Sequence, residues 1–280
     1  MRKFYLQNSI GERIDLNDTN KYIMTSPSGL GLQFMVNQFD ISNGFYKRTK
    51  IDTPAVQIMG DITFTSMTPY KDYRELVNWL NAGYDLSVVY CPYGADEYYC
   101  DVNVESIGKT EINSGHSMTC TMVLIGRTPW YKPIATVINI APDSAEKSTW
   151  DWEWDVVWAN DHTSGETEVK SGGHLPSAIT VSLDGALYNP KILLLKNGST
   201  VAQMVLDDTT IAAGSVLSYS SLYTNAGVWV DGVSQLPKLD LANENFFRIP
   251  LGDGYSIRLT SEQSVPITGS IAIYDYFRSV

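Results

Sequence analysis

Apolar and polar residues alternate in short runs along most of this sequence, and glycine or proline turns separate the runs. A period of two residues is typical of β-strands that bury one face. In the first half the pattern predicts strands at residues 4–6, 13–16, 30–39 and 55–65. A hairpin and a closing strand follow across residues 86–133, with a register break near Asp101 where a β-bulge is expected.

One segment of the first half has a helical period instead. Four apolar residues recur there at i, i+3, i+4 and i+7, namely Tyr73, Leu76, Val77 and Leu80. Thr68 is suited to cap the first free amides, and Pro69 suits the first helical position. Gly83 suits the left-handed residue after the last turn. The sequence therefore predicts one helix between Thr68 and Gly83, with its apolar stripe packed on the sheet.

The second half continues with regularly spaced short strands and has no helical period. Strands are predicted at residues 178–183, 191–195, 201–206, 216–220, 227–231, 255–260 and 271–277. The pair Asn197-Gly198 is a strong hairpin signal, and the series as a whole predicts a β-sandwich. Because 280 residues exceed one average domain and the link at 134–147 is weakly patterned, we expect two domains, 1–133 and 134–280.

The composition is that of a globular protein with few charges and many aromatic residues. Charged residues make up 18% of the chain, which also holds 17 Tyr and 7 Trp. Aromatic residues are enriched and charges depleted at the cores of protein interfaces. A β-rich protein also uses aromatic residues within its strands, so both interpretations stay open.

The charge balance argues against a nucleic-acid partner. The formal net charge is −11 and the pI is near 4.7, whereas phosphate binding requires clustered Lys and Arg. The two basic runs, at residues 2–3 and 47–50, are short. The N-terminus lacks the continuous apolar core of a signal peptide, and no apolar stretch is long enough for a membrane span.

Residues suited to catalysis or metal binding are few. The histidines, His116, His162 and His174, fall in polar turns and loops, and no GxSxG elbow presents a serine. The HExxH, CxxC and GxGxxG motifs are absent as well. We therefore expect no catalytic residue, no metal ligand and no cofactor.

Three cysteines, Cys91, Cys100 and Cys120, follow none of the spacings of metal sites. Cys91 and Cys100 flank the predicted hairpin and are positioned to face each other. We interpret all three as reduced core thiols, with a disulfide as the alternative.

Four tryptophans alternate with acidic residues near the start of the second half: Trp150, Trp152, Trp154 and Trp158. On a regular strand the indoles share one face and the carboxylates occupy the other. Flat indoles can stack on the apolar faces of sugar rings, which makes this stripe a candidate sugar platform. The same pattern is typical of a core or a subunit contact.

Several short motifs occur in a defined order in the first 133 residues. They are PSGLG at 27–31, DITFTS at 61–66, YKDYRELVNWL at 70–80, the YY-DV-V run at 98–104, KTE at 109–111 and TPWYKP at 128–133. In order and spacing they resemble the N-terminal domain of the distal tail proteins of long-tailed bacteriophages. The second half resembles the galectin-like or carbohydrate-module-like second domain of those proteins, through LDG at 183–185, the Asn197-Gly198 hairpin, LGDG at 251–254 and YDYF at 274–277.

The resemblance implies a mainly β protein with a β-sandwich-like N-terminal domain that carries one helix and a galectin-like C-terminal sandwich. It also implies a structural, non-enzymatic component of the virion tail tip that assembles in the host cytoplasm. Six copies are expected to form a ring through the N-terminal domain. That ring would join the tail tube protein to a tail spike or tail-associated lysin, with receptor-binding proteins as further candidate partners.

Two regions are predicted from their positions to make the ring contacts. One is residues 127–133, where two prolines are expected to end a strand and leave Trp130 and Tyr131 exposed. The other is the turn region at 39–50. The alternative function is a carbohydrate-binding module that recognises host cell-wall polysaccharide, and a third is a hydrolase acting on wall polymers.

Overall fold

A computed structural model describes residues 2–42, 45–94, 96–142, 163–243, 245–262 and 267–280. The chain divides into two compact units. The N-terminal unit consists of residues 1–132 and 276–280, and the C-terminal unit of residues 133–275. The last five residues thus belong to the same unit as the start of the chain.

The first ten strands and the α-helix precede residue 143. They are β1 (Lys3–Asn8), β2 (Arg13–Asp15), β3 (Tyr22–Ser28), β4 (Met35–Ser42), β5 (Phe45–Asp52), β6 (Gln57–Phe64), α1 (Pro69–Leu80), β7 (Leu86–Cys91), β8 (Tyr98–Ile107), β9 (Met118–Gly126) and β10 (Trp130–Pro142). Strand β3 is missing from the sequence prediction, and the strand expected at 30–39 begins only at Met35.

Antiparallel pairs join seven of these strands in the order β2-β1-β7-β8-β9-β6-β3. A backbone hydrogen bond of 2.7 Å from the Met24 N–H to the Leu16 carbonyl connects the two ends of this series. One core cluster contains buried side chains from this sheet, from α1 and from the first residue of β10: Phe4, Leu6, Ile62, Phe64, Leu76, Met122, Leu124 and Trp130.

Helix α1 lies close to its predicted position, but its N-terminal cap differs. Thr68 makes no side-chain capping bond. The Thr68 N–H instead donates to the Ser66 hydroxyl at 3.1 Å, and that hydroxyl donates to the buried carboxylate of Asp72. Gly83 has a φ of +78°, the left-handed conformation that the sequence predicts just beyond the helix.

The predicted β-bulge occurs elsewhere in β8. This strand pairs without a break with β7 from Tyr98 to Val102, so the expected slip near Asp101 is wrong. The irregularity lies between Val104 and Ser106, opposite β9. Tyr99 makes the alternation of buried and exposed residues along β8 hard to recognise in the sequence, because its ring is half-buried against Tyr131 rather than fully exposed.

The strand predicted to end near residues 127–133 is β9, which ends at Gly126. The two aromatic residues are not left outside a strand, however, because β10 starts at Trp130 and continues through Pro133 to Pro142. Between β10 and β8 a single residue pair is in register, Tyr131 with Tyr99. Strand β10 also pairs with β21, and it extends past Pro133 although this residue has no N–H to donate to a ladder.

The remaining elements all begin after residue 162. They are β11 (Thr163–Val169), β12 (Leu175–Asp184), β13 (Leu187–Tyr188), β14 (Lys191–Lys196), β15 (Ser199–Val205), β16 (Thr210–Ile211), β17 (Val216–Leu222), β18 (Asn225–Val230), β19 (Val233–Ser234), a short 3-10 helix (Leu236–Lys238), β20 (Tyr255–Ser261) and β21 (Ile267–Phe277).

The C-terminal unit is a sandwich of two antiparallel sheets. One sheet, which we call the front sheet, has the order β21-β12-β17-β18-β19. The other has the order β11-β20-β14-β15. Apolar side chains of both sheets fill the space between them, among them Val181, Tyr219, Val228, Ile192, Leu194, Ile257 and Leu259. The prediction of a mainly β protein with one α-helix is confirmed over the described residues.

Candidate functional site

Strands β4 (Met35–Ser42) and β5 (Phe45–Asp52), which we call the β4–β5 hairpin, form a two-stranded sheet separate from the main sheet. Its register runs from the pair Met35 and Asp52 to the pair Ser42 and Phe45, with two irregularities. A two-stranded hairpin alone is marginally stable in water, because it buries little apolar surface. This hairpin therefore needs further packing to be well ordered.

Apolar side chains cover the first strand of the hairpin and the residues that lead into it. All are substantially exposed: Leu32 (55%), Phe34 (43%), Met35 (53%), Val36 (49%), Phe39 (50%) and Ile41 (59%). Met35 and Val36 are consecutive, so both faces of the strand carry apolar surface. Exposed apolar side chains grouped in one segment are typical of surfaces that contact another protein.

The second strand of the hairpin is basic. It contains the run 47–50, in which Lys47 and Lys50 are exposed, while the chain as a whole has a net charge of −11. Lys50 forms an ion pair with Asp52 within the strand, with an Nζ to Oδ1 distance of 2.8 Å. The hairpin thus combines an apolar strand with a basic one on an acidic protein.

The structure places Trp130 differently from its predicted position. Trp130 is fully buried, so the prediction that it is exposed is wrong. Its indole N–H donates to the Gly29 carbonyl oxygen at 3.2 Å, and its ring meets Tyr90 edge to face. That Trp130 contributes to ring contacts stays a prediction. Because its side chain is buried, Trp130 can contribute only by holding neighbouring residues in position.

Tyr131 lies on the other side of the strand and is half-buried. Its ring stacks on Tyr99 with centroids 5.7 Å apart, and its hydroxyl donates to Asp101 at 3.0 Å. The next residue, Lys132, forms an ion pair with Asp96, at 2.6 Å between Nζ and Oδ1. Tyr131 retains some exposed surface, and its role in contacts between copies stays a prediction.

The four tryptophans of the predicted stripe, Trp150, Trp152, Trp154 and Trp158, lie outside the described residues, as does His162. His116 and His174 are exposed. Across the described part of the chain, no three His, Cys, Asp or Glu side chains come together to hold a metal ion. None of the described helices has the length and apolar character needed to span a membrane.

The cysteines are free and buried, which confirms the interpretation as reduced thiols. Cys100 lies opposite Val88 on β7, whereas Cys91 lies opposite Lys3 on β1. The two thiols flank the same hairpin but do not face each other, so the alternative of a disulfide is wrong.

The front sheet of the C-terminal unit has a depression that no sequence pattern predicted. It has a volume of about 340 Å³, and its lining includes Trp229 together with the hydroxyl residues Thr180, Ser182, Ser218 and Ser220. A second depression of similar volume lies beside α1, lined by Tyr70, Tyr73, Arg74, Val77 and Lys109.

The described chain is mainly β, and its β4–β5 hairpin exposes apolar side chains. Residues 3–126 match the family described as the distal tail protein, N-terminal domain. The resemblance that the sequence indicates is thus confirmed. No curated protein matches the sequence.

Two solved structures have the same fold over nearly the whole chain. A chain from the structure of the phage P2 baseplate in its activated conformation with calcium is 15% identical, with a TM-score of 0.67 and full coverage of both chains. The Dit protein of phage SPP1 is described as a paradigm of the hub adsorption apparatus in phages that infect Gram-positive bacteria. It is 13% identical, with a TM-score of 0.63 over 97% of this chain and 98% of that one.

Proposed function

We propose that this protein is a structural distal tail protein whose six copies form a ring at the phage tail tip. The ring joins the tail tube protein to the tail spike or tail-associated lysin and to host-recognition proteins, receptor-binding proteins among them. The N-terminal unit, residues 1–132 with 276–280, forms the ring, and residues 133–275 form an outer galectin-like domain. The protein has no catalytic activity, and it resides in the virion after assembly in the host cytoplasm.

The exposure of the β4–β5 hairpin is the observation that supports the ring. Burying the apolar strand of the hairpin in an interface is favourable, since each square ångström of apolar surface removed from water contributes about 25 cal/mol. Contact with a neighbouring copy supplies the packing that an isolated hairpin lacks. A hairpin on one copy that contacts a different surface on the next gives a heterologous interface, and such an interface generates a ring when the rotation between copies closes.

The charges of the hairpin favour one orientation of this contact. The basic strand of the hairpin carries the run 47–50, whereas the whole chain is acidic. Two copies of an acidic protein repel each other unless opposite charges meet at the interface. Placing the basic strand against an acidic surface of the next copy removes that repulsion and favours one orientation.

The experiment is a measurement of molar mass by light scattering across a concentration series. We expect wild-type protein to reach the mass of six 31.1 kDa chains, or to show an equilibrium between trimer and hexamer. A Phe39→Ser/Ile41→Ser variant removes apolar surface from the hairpin and should remain smaller at every concentration. Ile10→Ser, at an exposed apolar residue outside the hairpin, is the matched control and should assemble like wild type.

Two results would overturn the ring. One is wild-type protein that stays monomeric both alone and with purified tail tube protein. The other is a hairpin variant with the same mass as wild type. Class averages from negative-stain electron microscopy then count the copies in any ring that forms.

A further inference from the structure

The depression on the front sheet lies on the face opposite the sandwich core. Val181, Tyr219 and Val228 point into the core and are at most 3% exposed. Their neighbours along the same strands, at alternate positions, therefore point outward. These outward positions are unusual for their chemistry, because they combine hydroxyl groups with one large aromatic ring.

Strand register brings the outward residues into two rows across β12, β17 and β18. Thr180 lies opposite Ser220, which lies opposite Gly227. In the next row Ser182 lies opposite Ser218, which lies opposite Trp229. Cross-strand partners on one face have Cβ atoms about 5 Å apart, so the two rows form one continuous surface.

The indole of Trp229 lies against the sheet at Gly227. A Cβ on Gly227 would be 2.4 Å from the indole atoms Cζ2 and Cη2, so any side chain there would displace the ring. The φ of Gly227 lies outside the left-handed region, so the reason for glycine is the space that the indole occupies. The absence of a side chain at this position lets the indole lie over the sheet beside the hydroxyl rows.

The hydroxyl groups that line the depression have spare hydrogen-bonding capacity. Within the described part of the chain, Thr180, Ser182 and Ser218 form no side-chain hydrogen bond, and Ser220 only accepts one, from the Leu222 N–H at 3.3 Å. Each hydroxyl can both donate and accept. None of the described residues that line the depression carries a charge; besides those already named they include Ala135, Asn225, Ser270 and Ala272.

We propose that this depression binds a neutral saccharide, with one sugar ring stacked on the Trp229 indole. The apolar C–H face of a sugar ring carries partial positive charge and is attracted to the negative face of an indole. The hydroxyl groups of the sugar match the donors and acceptors of Thr180, Ser182 and Ser218. A volume of about 340 Å³ is at the small end of ligand sites and suits one or two rings.

The lining disfavours other ligand classes. A phosphate or an acidic sugar requires Lys or Arg, which the described lining lacks. A purely apolar ligand would leave the hydroxyl groups without partners, at a cost that such sites avoid. Occupancy of the depression does not depend on a ring of six copies.

Saturation-transfer difference NMR of the full-length protein tests the proposal, because it detects weakly bound sugars on large assemblies. The probes are four neutral trisaccharides, maltotriose, cellotriose, N,N′,N″-triacetylchitotriose and galactotriose, with trigalacturonic acid as the acidic comparison. We expect at least one neutral trisaccharide to receive saturation at its ring C–H protons, and the acidic trimer to receive none. Titration of the responding sugar then gives its affinity.

Variants assign the binding to this face of the sheet. Trp229→Ala should abolish saturation transfer, and Gly227→Ala should weaken affinity about tenfold by displacing the indole. Tyr188→Ala, which removes an exposed aromatic ring outside the depression, is the matched control and should bind like wild type. Thermal melting checks that each variant is folded.

Because Trp229 is half-buried, its removal can disturb the sheet. The Ser182→Ala/Ser218→Ala variant avoids this difficulty, since it changes two hydroxyl groups and leaves the indole in place. It should weaken binding by about threefold to tenfold. Three results overturn the proposal: no transfer to any neutral trisaccharide, preference for the acidic trimer, or unchanged affinity in both the tryptophan and the serine variants.

Discussion

The indole N–H of Trp130 and the carbonyl oxygen of Gly29 form a hydrogen bond of 3.2 Å that links β10 to the turn after β3. Trp130 is completely buried, so truncating it leaves a cavity and an unpaired carbonyl group. We expect Trp130→Ala to lower the free energy of unfolding by about 3–5 kcal/mol. Urea denaturation followed by circular dichroism measures this loss.

Two further variants separate burial from other effects at this position. Trp130→Phe keeps most of the apolar volume and loses the N–H, so it should cost less than Trp130→Ala. Tyr131→Ala removes a half-buried ring and should also cost less. If Trp130→Ala and Trp130→Phe unfold at the same urea concentration, the contribution that we assign to the buried ring is wrong.

Gly29 itself cannot accept a side chain, for two independent reasons. Its φ is +90°, and a Cβ would lie 2.2 Å from the Gln57 carbonyl oxygen, which is backbone and cannot move aside. We expect Gly29→Ala to destabilise the protein by more than about 2 kcal/mol, measured by the same urea denaturation.

A glycine with the same backbone conformation and open surroundings provides the control. Gly11 has a φ of +87°, and a Cβ placed on it would have no atom within 4 Å, so Gly11→Ala adds conformational strain alone. It should cost about 1 kcal/mol. Equal costs at Gly11 and Gly29 would show that the close approach to Gln57 has no energetic consequence.

The helix and the mainly β character could be predicted because both depend on local periodicity. The stripe that includes Leu76 repeats at helical spacing, and Leu76 is buried as expected. The exposure of the β4–β5 hairpin could not be predicted in this way. An apolar run such as 30–39 has the same pattern whether its partner belongs to the same chain or to another copy.

The environments of Trp130 and Trp229 could not be predicted from local sequence patterns either. The prolines around Trp130 indicated the end of a strand, but its pocket is built by Gly29 and Tyr90, which are distant in sequence. Trp229 lies beside serines of neighbouring strands, and serine on an exposed strand face gives no distinctive signal. The spacing of Gly227 and Trp229, two residues apart on one face, is the one local feature that indicates the ring's position.

A bidentate ion pair predicts a pH dependence of stability in the N-terminal unit. The Arg13 guanidinium donates to both Glu97 oxygens, at 2.8 and 2.9 Å. This pairing lowers the pKa of the Glu97 carboxyl below its ordinary value. The stabilisation is therefore present above the unfolded pKa of about 4.3 and is lost as the pH falls through the folded pKa.

Comparison of wild type with Glu97→Gln measures this effect. About a third of each side chain is exposed, so solvent screening should limit the difference at pH 7 to less than about 1 kcal/mol. The difference should disappear in acid, where both proteins lack the charge. Glu105→Gln, at an exposed carboxylate without an ion pair among the described residues, should show no such convergence.

The buried thiols should react only when the protein unfolds. Burial raises the pKa of the Cys91 thiol and, aided by the neighbouring Asp101, raises the pKa of the Cys100 thiol to about 12. The Cys100 Sγ also donates to the Thr128 carbonyl at 3.2 Å. Because the thiolate is the reactive form, native protein near pH 8 should react with Ellman's reagent at least about 100-fold more slowly than protein in guanidinium. Absorbance should then report three thiols per chain, and rapid release of one equivalent from native protein would contradict the assigned burial.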